Sequence, residues 1–190
     1  MGREFELKYA ATPEILEKLL GDLESVTEIS METTYYDTLD KDLSARHMTL
    51  RRRYENGVSV CTLKAPDGAN SRKEYETEAA AIEEAIPVLC KLSNWQDLEE
   101  IAAKGLIPVC GARFTRKTAL VTLGTAVVEL ALDCGVLLGG GREVPLCEVE
   151  VELKSGSEAA ATSFANVMAG AYGLRPEPKS KFARAMSLTE

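Results

Sequence analysis

The sequence predicts an α+β fold in which an antiparallel sheet curls and closes into a β-barrel, with helices packed on its outside. Three observations predict it. Segments with strict two-residue alternation of apolar and polar side chains recur along most of the 190 residues, which is the period of a strand. Only a few intervening segments carry an apolar stripe at helical spacing. The charged faces of the strands are numerous and mixed in sign, so the apolar stripes of the helices need the opposite, apolar sheet face as cover.

With 45% hydrophobic and 27% charged residues the composition is that of an ordinary globular chain, and residues 1–190 are expected to form a single domain with a substantial core. A formal charge of −8 argues against a nucleic-acid partner held on a broad basic surface, so any basic cluster is a local site. No apolar run approaches the length of a bilayer span and no signal peptide is visible, so no membrane partner and a cytoplasmic location are expected. The five cysteines are scattered, odd in number and without a CxxC pair. A disulfide framework or zinc site is not expected of them, and a reducing compartment fits.

The elements follow in order. "EFELK" sets Glu4, Glu6 and Lys8 on one strand face and Phe5 and Leu7 on the other. A helix begins with Thr12 as N-cap and Pro13 at its first position, and aligns Ile15, Leu16, Leu19, Leu20 and Leu23. Strands are predicted at 29–38, 47–55, 58–66 and 72–79, the middle pair joined by Asn56-Gly57, a dipeptide whose tolerance of positive φ suits a tight hairpin. A helical stretch over 80–105 is expected to break at Pro87, with a capping box from Ser93 to Gln96. Strands return at 112–123, 125–138 and 143–154, an Ala-rich helix spans 157–172, and a short helix lies within 178–188. Gly139 to Gly141 read as a turn between strands, since no helix follows them.

Within these strands Arg51 and Arg53 share a face, as do Arg72, Glu74 and Glu76; Glu129 and Asp133; and Glu148, Glu150 and Glu152. Lys64 and Arg116 add single charges. Each face alone reads equally as an ordinary solvated strand. Taken together under helices that cover Phe5, Leu7, Val149, Val151 and Leu153, they point into a polar lumen. Buried carboxylates then imply bound cations, and buried guanidinium and ammonium groups a polyanion. An oxygen-only donor set suits a hard ion such as Mg²⁺ or Mn²⁺, and forked arginines suit phosphate.

The ordered motifs "EFELK", "YYDT", "LRRR", "CTLK", "RKEYE", "FTRKT", "ELALDCG", "CEVEVELKSG" and "SKFARA" resemble the CYTH domains, also called triphosphate tunnel metalloenzymes. The start and the glutamate-rich strand look most like the inorganic triphosphatase branch, although Ala119 stands where that branch often carries a large aromatic. The resemblance implies an eight-stranded antiparallel tunnel that hydrolyses a triphosphate, with Mg²⁺ or Mn²⁺ as cofactor. It implies Glu4, Glu6 and Glu150 as metal ligands, with Glu148 and Glu152 in support and Glu129 and Asp133 as further metal candidates in the same acidic wall. Lys8, Arg51, Arg53, Lys64, Arg116, Lys181 and Arg184 would hold phosphate, while Arg72, Glu74 and Glu76 complete the wall. A cyclase making cyclic AMP from ATP, a thiamine triphosphatase and a non-catalytic polyphosphate binder are the alternatives. His47, the sole histidine, is placed at the rim and outside the chemistry, and Trp95 is read as a helix-packing residue.

Overall fold

A computed structural model describes residues 5–66 and 72–190. The elements are β1 (Glu6–Ala10), α1 (Pro13–Gly21), β2 (Thr27–Asp37), α2 (Asp42–Ala45), β3 (Thr49–Glu55), β4 (Val58–Pro66) and β5 (Arg72–Glu78). There follow α3 (Ile82–Ser93), α4 (Asp97–Ala103), β6 (Ile107–Leu123), β7 (Ala126–Gly139), β8 (Arg142–Ser155), α5 (Glu158–Tyr172), β9 (Arg175–Pro176) and α6 (Lys181–Met186). All strands belong to one antiparallel sheet in the order β5-β4-β3-β2-β6-β7-β8-β1-β9. This corrects the expectation of an eight-stranded closed barrel: the described strands number nine, and no hydrogen bonds join β5 to β9. The β9 edge is two residues long, and Pro176 has no N–H to donate, so the ladder has little to continue on. The sheet is nonetheless strongly curled, because side chains of β1 and β5, near its opposite edges, line one cavity.

The local signals act as their chemistry requires. Thr12 accepts the Ile15 amide at the start of α1, and Asn56 and Gly57 take φ of 50° and 90° in the β3–β4 turn. Asn56 also ties that turn to β2, its Oδ1 accepting the Ser30 amide at 2.8 Å. Two local expectations were overturned. Pro87 lies inside α3, which continues to Ser93; the hydrogen bond it forgoes is outweighed by burial of Ile82, Ala85, Ile86 and Leu89. The capping box does not form, since Gln96 precedes α4 without a side-chain cap and the Ser93 hydroxyl accepts the Trp95 amide.

Three apolar clusters hold the sheet. Outside, α1 and α5 cover Val128, Leu130, Leu132, Val149 and Val151, as the outward-apolar reading requires. Also outside, α3, α4 and Leu43 of α2 cover Leu50, Cys61 and Leu63, with Trp95 packed at the margin. The third cluster lies on the concave face, where Phe182 and Ala185 of α6 meet Met31, Tyr35, Phe114, Leu137 and Leu146. Gly135 of β7 serves this packing: a Cβ there would stand 2.6 Å from the Phe114 Cβ and 2.2 Å from the Arg113 carbonyl. The lumen is therefore polar over one part of its length and filled by α6 over another. No helix among the described residues is long and apolar enough to cross a membrane.

Leu130 is 1% exposed beneath α1 and α5. Leu130→Ala should lower unfolding free energy by about 2–5 kcal/mol in a urea titration; a loss below about 1 kcal/mol would show that the outer cluster does not hold these helices.

Candidate active site

The concave face encloses a cavity of about 550 Å³ to which every strand from β1 to β8 contributes. Among the described residues seven carboxylates and seven cationic side chains line it, so the wall is balanced in charge before any ligand arrives. Register explains how the carboxylates gather. Glu6 pairs directly with Glu152, and Glu152 with Glu129, so β1, β8 and β7 carry one row of three. Two residues along, Lys8 faces Glu150; two further, Glu148 faces Asp133, and Asp133 faces Arg116 of β6.

The deeper row is closed by ion pairs. Arg116 donates from Nε and Nη2 to the two oxygens of Asp133, both at 2.7 Å, and also to Glu150. From α6, Lys181 reaches Asp133 at 2.7 Å, Glu150 at 2.8 Å and Glu148, and Arg184 pairs with Glu148. Asp133 and Glu148 have no exposed surface. Burial pushes the Glu148 carboxyl above its usual range, against Lys181 beside it. For Glu150 burial acts in the same direction, but Lys181 and Arg116 outweigh it and hold the carboxyl well below the usual range. Arg116 and Lys181 show the converse: desolvation opposes their charge, and the surrounding carboxylates more than restore it. Oxygens of Asp133, Glu148 and Glu150 lie within 4.8 Å of one another, near enough to share one ion.

The outer row is looser. Lys154, which the sequence reading did not single out, bridges Glu152 at 2.8 Å and Glu129 at 3.3 Å, and Lys8 stands 3.9 Å from Glu6. Its only sequence signal was position: Lys154 continues the inward alternation of Glu148, Glu150 and Glu152. Across the cavity Lys64 pairs with Glu74, Arg53 with Glu55 at 2.6 Å, and Arg51 lies 3.8 Å from Glu76. Burial, then the neighbouring Arg51, lowers the Arg53 pKa. The Nε atoms of Arg51 and Arg184 are buried without a hydrogen-bond partner among the described residues, donors of the kind an anion satisfies.

The structure thus brings Glu6, Lys8, Arg51, Arg53, Lys64, Glu74, Glu76, Arg116, Glu129, Glu150, Glu152 and Lys181 to one cavity. It sets Asp133, Glu148 and Arg184 in the ion network behind it. Glu4 lies outside the described residues, as does the side chain of Arg72. His47 follows α2 and does not line the cavity. Tyr35 faces inward and Tyr36 outward.

Residues 2–186 match the family model of the CYTH domain. A Haemophilus influenzae inorganic triphosphatase is 33% identical over 166 residues, which are 83% of this chain and 47% of that protein. The chain therefore spans about half the length of this relative. Among solved structures, a Hippeastrum protein first taken for an adenylyl cyclase and found to have a dominant triphosphatase activity superposes with a TM-score of 0.73 at 19% identity, covering 100% of this chain and 97% of its own. A Pyrococcus horikoshii protein gives a TM-score of 0.65 at 23% identity over 97% and 98% of the two chains. These structures share the fold.

Two stability predictions follow from the ion network. Arg116→Met should cost about 3–5 kcal/mol in chemical denaturation, because it strands Asp133 and Glu150 in a buried site; a loss within about 0.5 kcal/mol would refute that pairing. Since the folded-state pKa of Glu150 is depressed, its contribution is present above the unfolded value and is lost as pH falls below about 4.3. Glu148, with its pKa raised, works in the opposite sense. Glu150→Gln should therefore flatten the acid limb of the stability profile, and an unchanged slope between about pH 5 and pH 3 would contradict the assignment.

Proposed function

The chain belongs to the CYTH-domain family, and on that premise we propose that it is a divalent-cation-dependent triphosphatase that hydrolyses inorganic tripolyphosphate to diphosphate and phosphate. The observation that carries this reading is the wall around one cavity in which, among the described residues, seven carboxylates balance seven cations. A polyanion entering a neutral wall leaves several charges uncompensated unless cations enter with it, and a metal-chelated triphosphate supplies both. The inorganic triphosphatase relative supports the same substrate class. Residues 1–190 would act as a single tunnel unit, and the five free cysteines support a reducing, cytoplasmic setting.

The donor set fits a hard cation: it is oxygen throughout, and Glu6, Glu129 and Glu152 stand as direct cross-strand neighbours, an arrangement of like charge that a cation relieves. Glu6, Glu150 and Glu152, together with Glu4, would hold Mg²⁺ or Mn²⁺, with Glu129 at the margin. The bound ion supplies charge neutralisation at the phosphate oxygens. Asp133 and Glu148 are held by Arg116, Lys181 and Arg184, as Glu150 is by Arg116 and Lys181, but of the three only Glu150 lines the cavity, so Asp133 and Glu148 would serve to position those cations.

The chain's own side chains account for the rest. Lys8, Arg51, Arg53 and Lys64 converge on the cavity from β1, β3 and β4, and the Arg51 Nε, without a hydrogen-bond partner among the described residues, is a ready donor to a phosphate oxygen. Arg72, whose neighbours Glu74 and Glu76 line the same wall, would add a further cation. As the terminal P–O bond breaks, charge moves to the bridging oxygen, and Arg116 and Lys181, already locked in place, stabilise it without reorganisation. The wall carboxylates are the groups available to accept the proton of the attacking water.

One observation favours a second reading. Ile29, Met31, Phe114 and Phe182 line the same cavity, an apolar surface on which the organic part of a nucleoside or thiamine triphosphate could rest. Phosphate release from tripolyphosphate, ATP and thiamine triphosphate, with product analysis, separates the two. The expected result is rapid release from tripolyphosphate with Mg²⁺ or Mn²⁺, abolished by chelator, and a fall in kcat/KM of about 10²–10³-fold in Arg53→Ala and Glu6→Gln. Cyclic nucleotide product, or variants as active as the parent, would overturn the reading.

A further inference from the structure

Cys134 of β7 and Cys147 of β8 are direct partners in the antiparallel ladder, and their Sγ atoms lie 3.2 Å apart. The backbone of Cys147 faces the other way, its carbonyl accepting the Ala11 amide at 3.1 Å, so towards β7 the two cysteines form a non-hydrogen-bonded pair. At such pairs the side chains of adjacent strands approach most closely, with Cα atoms about 4.5 Å apart, inside the range a disulfide spans. Their side chains point to the face opposite Asp133 and Glu148, away from the cavity. Cys134 is exposed and Cys147 half-buried, whereas Cys61 and Cys110 are buried and Cys90, on α3, is half-buried.

We propose that Cys134 and Cys147 form an oxidisable dithiol, a site of reversible modification that takes a hydroperoxide and closes to a cross-strand disulfide. The exposed Cys134 thiolate attacks the peroxide: its S–O bond forms, the O–O bond breaks, and the leaving oxygen takes a proton and departs as an alcohol or water. Cys147 then attacks the Cys134 sulfur; the S–S bond forms, the S–O bond breaks, and hydroxide leaves as water with the proton that Cys147 gives up. Two thiols are oxidised by two electrons and one peroxide is reduced. The order follows from accessibility, since Cys134 is exposed to an incoming peroxide while Cys147 is half-buried and meets the Cys134 sulfur directly, which makes it the second partner. The bond would brace β7 and β8 directly behind the residues that position Arg116 and Lys181.

The test is hydrogen peroxide at a few equivalents on the whole reduced protein, followed by non-reducing peptide mass mapping and dimedone trapping. The expected product is one intrachain cross-link between the Cys134 and Cys147 peptides, two hydrogens lighter than the reduced pair and lost with dithiothreitol. Cys147→Ser should instead yield a dimedone adduct at Cys134, and Cys134→Ser should leave Cys147 unmodified. Irreversible oxidation of Cys134 beside a free Cys147, cross-links between chains, or no reaction at either residue would each overturn the proposal.

Discussion

The buried ion network of Arg116, Asp133, Glu148, Glu150, Lys181 and Arg184 is the interaction on which the rest of the structure depends. Three carboxylates and three cations share a site in which Asp133 and Glu148 have no exposed surface. A charge stranded there would cost several kcal/mol, so each member is tolerable only while the others hold their places. The members come from β6, β7, β8 and α6. Satisfying their charges therefore fixes the register of three strands and the seat of the last helix at once. A network of this kind gives little net stability over an apolar core, but it rejects arrangements that leave one partner alone.

Its position follows from the inverted patterning of the sheet. The face that packs under α1, α3, α4 and α5 is apolar, so alternation turns the charged residues inward. An inward charged face must curl around its own counter-charges. Lys64 facing Glu74 and Arg116 facing Asp133 in the ladder show this balance built residue against residue. Among the described helices α6 is the one on the concave side, and its composition suits both parts of the lumen: Phe182 and Ala185 join the apolar cluster while Lys181 and Arg184 join the ion network.

Much of this was legible because it is periodic or capped. Strict alternation placed the strand faces, Thr12-Pro13 opened α1, and Asn56-Gly57 closed the β3–β4 hairpin. What was not legible depends on tertiary contacts that no local pattern encodes. Pro87 is held within a helix by burial of its neighbours, overriding a local breaker. α2 forms where buried Asp37 accepts the Leu43 and Ser44 amides, a cap supplied from the end of a strand. Sequence alternation put Glu129, Asp133, Glu148, Glu150 and Glu152 on one face, but only the register separates the residues saturated by arginine and lysine from those of the looser outer row. Open edges were likewise invisible, because closure turns on whether two distant strands meet.

The balance of charge in the cavity has a consequence for how a ligand is chosen. The chain carries a formal charge of −8, so long-range attraction does not bring a polyanion to it. Selectivity must come from contacts made after entry: orphaned donors such as the Arg51 Nε, and carboxylates whose present partners can be exchanged. Lys154 illustrates the exchange. Its ammonium lies between Glu129 and Glu152, where a divalent ion would compete with it, and it is the more exposed of the cations in that row. A small monoanion could satisfy one donor but would leave the carboxylates as they are. A polyanion that carries its own cations can address both halves of the wall, gaining arginine donors on one side and glutamate oxygens on the other. On the proposed reading the wall would discriminate by requiring anion and cation together, and the charge balance of its described residues is what would make that requirement strict.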